Sequence, residues 1–163
     1  MYDVRAMDFG RASSLTTSLR ILTIVDCHTR EALAASARVN FRAHQVVEEL
    51  DRIIWLRGKP RSIRVDYGPE FAGRLLDQWA YLNKIELDFS PPGKPCDNAY
   101  IEAFNSRIRQ GCLNAAWFLS MADARQRIND WRVDYNHHRP HSALGNLALN
   151  AFAAQFYPTR KFV

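Results

Sequence analysis

At 163 residues, 47% of them hydrophobic and 24% charged, the chain can bury one domain-sized core and is not a disordered tail. Its 22 Lys and Arg against 17 Asp and Glu give a formal charge of +5, which permits a nucleic-acid partner without demanding one. Three cysteines with no CxxC pair speak against a disulfide framework or zinc ribbon; with no apolar run of ~18 residues and no signal-peptide pattern, a soluble cytoplasmic protein without a membrane partner is expected.

Taken in order, Tyr2–Phe9 reads as a short strand and Gly10–Ser18, rich in Ser and Thr, as a turn. Leu19–Cys27 is the clearest strand, β-branched and almost wholly apolar, and after a tight turn Glu31–Phe41 returns antiparallel to it. From Ala43 the period changes. Ala43, Val46, Val47, Leu50, Ile53 and Ile54 recur at helical spacing, and Gly58-Lys59-Pro60 ends the helix. Arg61–Asp66 is a strand, Phe71, Leu75, Trp79 and Leu82 mark a second helical stripe, and Ile85–Phe89 is a fifth strand. A Pro/Gly loop, Pro92–Pro95, then opens a helix near Asp97 or Asn98. A last helix over Met121–Tyr135 turns Ala124, Ile128, Trp131 and Tyr135 inward, and a turn-rich tail carries Phe152 and Phe156 as docking anchors. A hairpin followed by alternating strands and helices predicts a mixed sheet flanked by helices.

The chemistry concentrates in carboxylates at the ends of separate elements. Asp66 ends an apolar strand just before Gly68-Pro69, and Glu102 lies early in the helix after the Pro/Gly loop, with 35 residues (67–101) between them. A third carboxylate, Asp8, stands far upstream. Hard oxygens gathered from separate elements suit a divalent cation and phosphoryl transfer. On a helical wheel Asn98, Glu102, Asn105 and Arg109 share a face beside the apolar Ile101, Phe104, Ile108 and Cys112. The wheel alone favours a solvated Glu102, and Asp66 could equally be a turn former. His137, His138 and His141 look like a zinc cluster but lack a spaced Cys pair.

Three blocks of this sequence, "VDYGPEF", "SPPGKPCDNAYIEAFNSRIR" and "YNHHRPHSALG", resemble bacterial insertion-sequence transposases. The Asp66–Glu102 spacing is similar to that in the catalytic core of DDE transposases and retroviral-type integrases. The resemblance runs from Met7 to about Leu147. It implies an α/β, RNase H-like fold with a five-stranded mixed sheet flanked by helices, agreeing with the pattern above, over residues 1–145, with 146–163 a C-terminal tail. It further implies that Asp8, Asp66 and Glu102 are catalytic and hold Mg²⁺ or Mn²⁺, two ions in all. Asp26 competes with Asp8 but matches a recurrent non-catalytic aspartate. The implied reaction is metal-dependent nicking of DNA ends and their strand transfer by transesterification, without a covalent protein–DNA intermediate. Lys94, Asn98, Asn105 and Arg109 are then expected to bind DNA, and the chain to form a homo-oligomer.

Four positions depart from the family pattern: Arg5 replaces a tryptophan, Tyr67 an asparagine, Gly111 a glutamate, and Ala148-Leu149-Asn150 a Thr-Pro pair. The family's upstream helix-turn-helix segment is not in this sequence, which suggests a fragment or truncated product. Two other readings follow from these features. One is a catalytically impaired remnant acting as a DNA-binding or dimerisation module; the other, opposed by the "RPHSALG" tail, is a general RNase H-like nuclease.

Overall fold

Strand pairing starts from the apolar run around Ile21–Val25. In a computed structural model of the protein, which describes residues 4–66, 68–89, 99–114 and 117–157, this run is β2 (Ser18–Asp26). It lies between β1 (Val4–Ser13) and β3 (Ala32–Arg38), antiparallel to both. β4 (Ser62–Val65) joins β1 in parallel, and β5 (Glu86–Phe89) joins β4 in parallel. The five-stranded mixed sheet has the order β3-β2-β1-β4-β5. β1 is longer than its sequence suggests: the small residues to Ser13 stay paired, Ser13 facing Ser18, and only residues 14–17 turn.

Alternation along β2 divides the molecule into two cores. Leu22 and Ile24 face α1 (Ala43–Arg57) and α2 (Arg74–Asn83). Leu19, Ile21 and Val25 face α3 (Ala99–Ile108) and α4 (Met121–His138). α1 has the predicted bounds. Val46, Leu50 and Ile53 are buried, the Gln45 side chain accepts the Arg42 N–H at 2.9 Å, and Gly58 ends the helix at φ +80°. Buried Arg5 donates to the Gly58 carbonyl at 2.8 Å, which gives the arginine in the tryptophan position a structural use. α2 is rotated from expectation. Leu76, Trp79 and Ala80 are buried while Leu75 and Leu82 are exposed, and Phe71 precedes the helix, stacked on Phe9.

Ile101, Phe104, Ile108 and Cys112 are buried as the wheel predicts, and after Ile108 the helix widens into a π-turn, Arg109–Leu113. The widened turn passes over Trp131, and a Cβ on Gly111 would lie 2.7 Å from the indole nitrogen. A side chain there has no room, which accounts for the departure from glutamate. On α4, the four predicted residues face inward. A polar stripe on the same helix meets the outer edge of β3: Arg125 donates to the Ala37 carbonyl, Arg132 to that of Ala32, and the Asn136 amide bonds both the N–H and C=O of Ala32 at 2.9 Å. Beyond α4, β6 (Pro140–His141) pairs with β7 (Leu147–Ala148), and α5 (Leu149–Ala153) returns Leu149 to the same core as Phe104 and Tyr135. Phe152 and Phe156 close on the His28 ring, and the Tyr157 hydroxyl donates to Asp26. Among the described residues, no helix is long and apolar enough to cross a membrane.

Candidate active site

The β1–β4 register sets Val4 beside Ser62 and Ala6 beside Arg64. Continued by two residues, it brings Asp66, just past the end of β4, alongside Asp8. Asp8 and Ala6 point to the same face, the one covered by α3. Glu102 lies in the first described turn of α3. Strand, strand end and helix thus each contribute one of the three expected carboxylates.

Asp8 is the most constrained. Its Oδ1 accepts the Phe9 N–H at 2.7 Å and its Oδ2 accepts the Asn105 amide at 2.8 Å. The Asn105 oxygen in turn accepts the Thr23 hydroxyl at 2.8 Å, and that hydroxyl also lies 3.2 Å from the Asp8 carbonyl oxygen. With its oxygen facing a hydroxyl and its NH₂ facing a carboxylate, the amide has one good orientation. Asn105, expected on the sequence to bind DNA, shares the Glu102 face of the helix but is 8% exposed, and both of its amide atoms are engaged inside the protein, one of them on Asp8. Thr23 was missed, although it is the only hydroxyl in the apolar run Leu19–Val25, a signal that the sequence carries.

Burial pushes the Asp8 carboxyl above the usual aspartate range, and the negative charges of Asp66 and Glu102 push the same way; the Phe9 N–H and the Asn105 amide oppose them. Asp66 and Glu102 thus lie near enough for their charges to bear on Asp8. Asp66 is exposed, and its Oδ1 accepts the Gly68 N–H at 2.9 Å. Gly68 has little space above it, since a Cβ would lie 2.8 Å from that Oδ1 and 3.0 Å from Glu70 Oε2. Glu70 pairs with Arg20, whose guanidinium lies 4.4 Å from the Phe9 ring centre. Asp26, the competing aspartate, is buried beside the turn after β2, where its Oδ1 accepts the N–H groups of His28 and Thr29. It is a structural group, remote from the carboxylate trio in its bonding.

The donor set suits a hard divalent cation: three carboxylates from separate elements, two of them near enough for their charges to bear on the third. Among the described residues no three His, Cys, Asp or Glu side chains stand close enough to enclose an ion as they lie. Arg109 is exposed at the start of the π-turn, whereas Lys94, Asn98 and Tyr67 lie outside the described residues.

Two Integrase core domain models match the chain, one over residues 2–95 and the other over 83–148. The chain is 47% identical over 158 residues to the insertion element IS407 uncharacterized 31.7 kDa protein of Burkholderia multivorans, covering 96% of this chain and 57% of that protein. It is 41% identical to the insertion element IS476 uncharacterized 39.2 kDa protein of Xanthomonas euvesicatoria, covering 94% and 45%. It is 27% identical to transposase InsF for insertion sequence IS3A of Escherichia coli, covering 82% and 48%. The chain thus spans about half the length of the curated relatives it matches. Among solved structures, a chain of the simian T-cell lymphotropic virus intasome in complex with PP2A regulatory subunit B56 gamma superposes with a TM-score of 0.80 at 16% identity, covering 99% of this chain and 58% of that one. The dimeric HTLV-2 integrase catalytic core in complex with magnesium gives 0.70 at 16% identity, covering 93% and 96%. The fold is RNase H-like, and the chain belongs to the integrase core domain family of DDE transposases and retroviral-type integrases.

Proposed function

We propose that the chain is the catalytic core of a DNA transposase, which nicks element ends and transfers them to target DNA with Asp8, Asp66 and Glu102 as its catalytic carboxylates. The observation that carries this reading is the Thr23–Asn105–Asp8 network. It fixes a partly buried carboxylate beside Asp66, with its orienting amide one helical turn from Glu102. Burying and aligning a charge that its neighbours repel costs stability, and a site of chemistry accounts for the arrangement.

Asp8, Asp66 and Glu102 would hold Mg²⁺ or Mn²⁺, as two ions, and when bound these would activate water or a DNA 3′-hydroxyl and stabilise the departing oxygen. Asn105 keeps Asp8 from rotating, and the Gly68 N–H does the same for Asp66. Arg109, exposed on the same helix and its continuation, supplies a cation for DNA phosphates, with Lys94 and Asn98 as the further DNA contacts inferred from the family motif. The relatives' insertion-element names and the intasome likeness support DNA ends as substrate and assembly of several copies.

Two measurements test this. Mn²⁺ titration should broaden backbone amide signals around Asp8, Asp66 and Glu102. Strand transfer of a labelled oligonucleotide duplex should fall in Asp66→Asn by more than the roughly 100-fold that loss of a supporting residue costs, with urea stability preserved. Full Mn²⁺-dependent transfer by Asp66→Asn, or no localised broadening at millimolar metal, would overturn the assignment.

A further inference from the structure

Around α3 from the carboxylates, a cavity of about 190 Å³ opens between that helix, the turn after β2 and the segment following α4. Its polar lining comes from Arg30, Tyr100, Arg107, Tyr135 and His141, and among the described residues that line it there is no carboxylate. The turn is built to present Arg30. Asp26 accepts two of its N–H groups, the Arg30 N–H donates to the Asp26 carbonyl, and Arg30 takes φ +64°, which a non-glycine residue adopts only under constraint. The guanidinium lies 3.2 Å from the centre of the Tyr100 ring.

Arg30 Nε and His141 Nε2, on two of the lining side chains, are buried and lack a hydrogen-bond partner. An unmet buried polar group is costly, and two of them beside one cavity leave this wall with hydrogen-bonding capacity that the described residues do not use. The Arg107 guanidinium, which also lines the cavity near Tyr135, adds a second cation. Arg139 is shared with Asp134 and the Trp131 ring. Burial lowers the His141 pKa, and the nearby charges of Arg107, Arg139 and Arg30 push the same way. On the far side of the Arg30–Tyr100 stack a second cavity of about 320 Å³ reaches Arg64, which extends the arginine-lined track.

We propose that this cavity is a phosphate-binding subsite, holding one phosphodiester of a nucleic-acid strand on the side of α3 away from the three carboxylates. Arginine suits the task because its planar donors match phosphate oxygens, and Tyr100 and Tyr135 offer the aromatic faces common in nucleic-acid sites. The inference rests on the DNA reading above but concerns binding, not transfer. It also gives a role to the segment after α4, of which His141, Ala143 and Leu144 form one wall.

The test is a titration of the whole chain, and of its Asp66→Asn variant, with inorganic phosphate and separately with a short DNA duplex without metal, following the His141 ring and Arg30 Nε–H NMR signals. Both ligands should move both signals in both proteins. Arg107→Gln and Arg30→Asn (asparagine tolerates positive φ) should weaken the phosphate response at least about tenfold, and each should lower the salt slope of DNA binding by about one. Unmoved signals with both ligands would overturn the site. Phosphate binding without DNA binding there would overturn the nucleic-acid assignment. An unchanged salt slope in Arg30→Asn would do the same, and its urea midpoint separates misfolding from a true negative. Binding by a wild-type chain that is itself inactive in Mn²⁺-dependent strand transfer would sink the functional reading alone.

Discussion

Replacing Asn105 by aspartate puts the network around Asp8 to a direct test. The side chains are nearly isosteric, and the new carboxylate can still accept the Thr23 hydroxyl. What changes is the group 2.8 Å from Asp8 Oδ2, where an N–H donor becomes an anionic oxygen in an 8% exposed position. Two like charges at such a site repel by about 4 kcal/mol at an effective dielectric of 20. Binding one proton relieves this, at about 1.4 kcal/mol for each pH unit above the carboxyl's own pKa. At pH 7.5 the variant should be less stable by roughly 2–4 kcal/mol. The sign follows from linkage: the pair's folded pKa lies above that of an unfolded aspartate, so its penalty is full above the folded value. It shrinks as pH falls through that value and is nearly gone below about pH 4. Urea unfolding of the wild-type chain and variant across pH 4–8 measures the difference. A loss under about 0.5 kcal/mol at pH 7.5, or one that stays flat with pH, would mean that the two side chains are not paired.

Three further outcomes are expected. Gly68→Ala should displace the Asp66 carboxylate, given the 2.8 Å approach, and weaken Mn²⁺ binding by roughly 10- to 100-fold; urea stability should move by less than about 1 kcal/mol, and wild-type Mn²⁺ broadening would contradict the geometry. Gly111→Ala forces the stacked Trp131 to shift, so overpacking of about 1–3 kcal/mol should exceed the ~1 kcal/mol gained in helix propensity; a higher urea midpoint would refute this. Burial pushes the Cys27 thiol up from 9.0 to about 11, so the folded state resists deprotonation and stability should fall as pH rises from 9 towards 11, by up to about 2.7 kcal/mol. Cys27→Ala should lessen that slope in pH-dependent unfolding, leaving the part due to Cys112 and Tyr135, which burial also raises, and an identical slope in both proteins would assign it elsewhere.

Elements with a local signature were legible from the chain. α1 combines an apolar stripe with a Gly-Lys-Pro stop, and its bounds agree with the sequence reading. β2 is apolar enough to declare itself a central strand. The end of β1 was not legible, because Gly10–Ser13 look like turn residues and are kept extended only by pairing with β2. The α2 stripe slipped because Phe71 suits a helical face yet precedes the helix. In the candidate site, Asp66 and Glu102 stood out by their settings, but a helical wheel gives direction and not depth. It grouped Asn105 with Glu102, whereas only the packing of α3 on the sheet shows that one is buried and the other exposed. Thr23 needed the antiparallel register, which sets it opposite Asp8.

The stripe of Arg125, Arg132 and Asn136 along β3 also limits how copies of this domain can meet. A free sheet edge invites another strand, from a neighbour or from a misfolded copy. Here main-chain groups of Ala32 and Ala37 on that border are already taken by side chains of α4. The opposite border, β5, exposes Glu86 and Asp88, and their charges discourage a like strand from docking. With one margin latched and the other guarded by charge, a continuous intermolecular sheet is disfavoured at both ends. Any two copies that meet are left to join through helical faces and loops, where contacts can be made and released without unzipping the scaffold that carries the carboxylates.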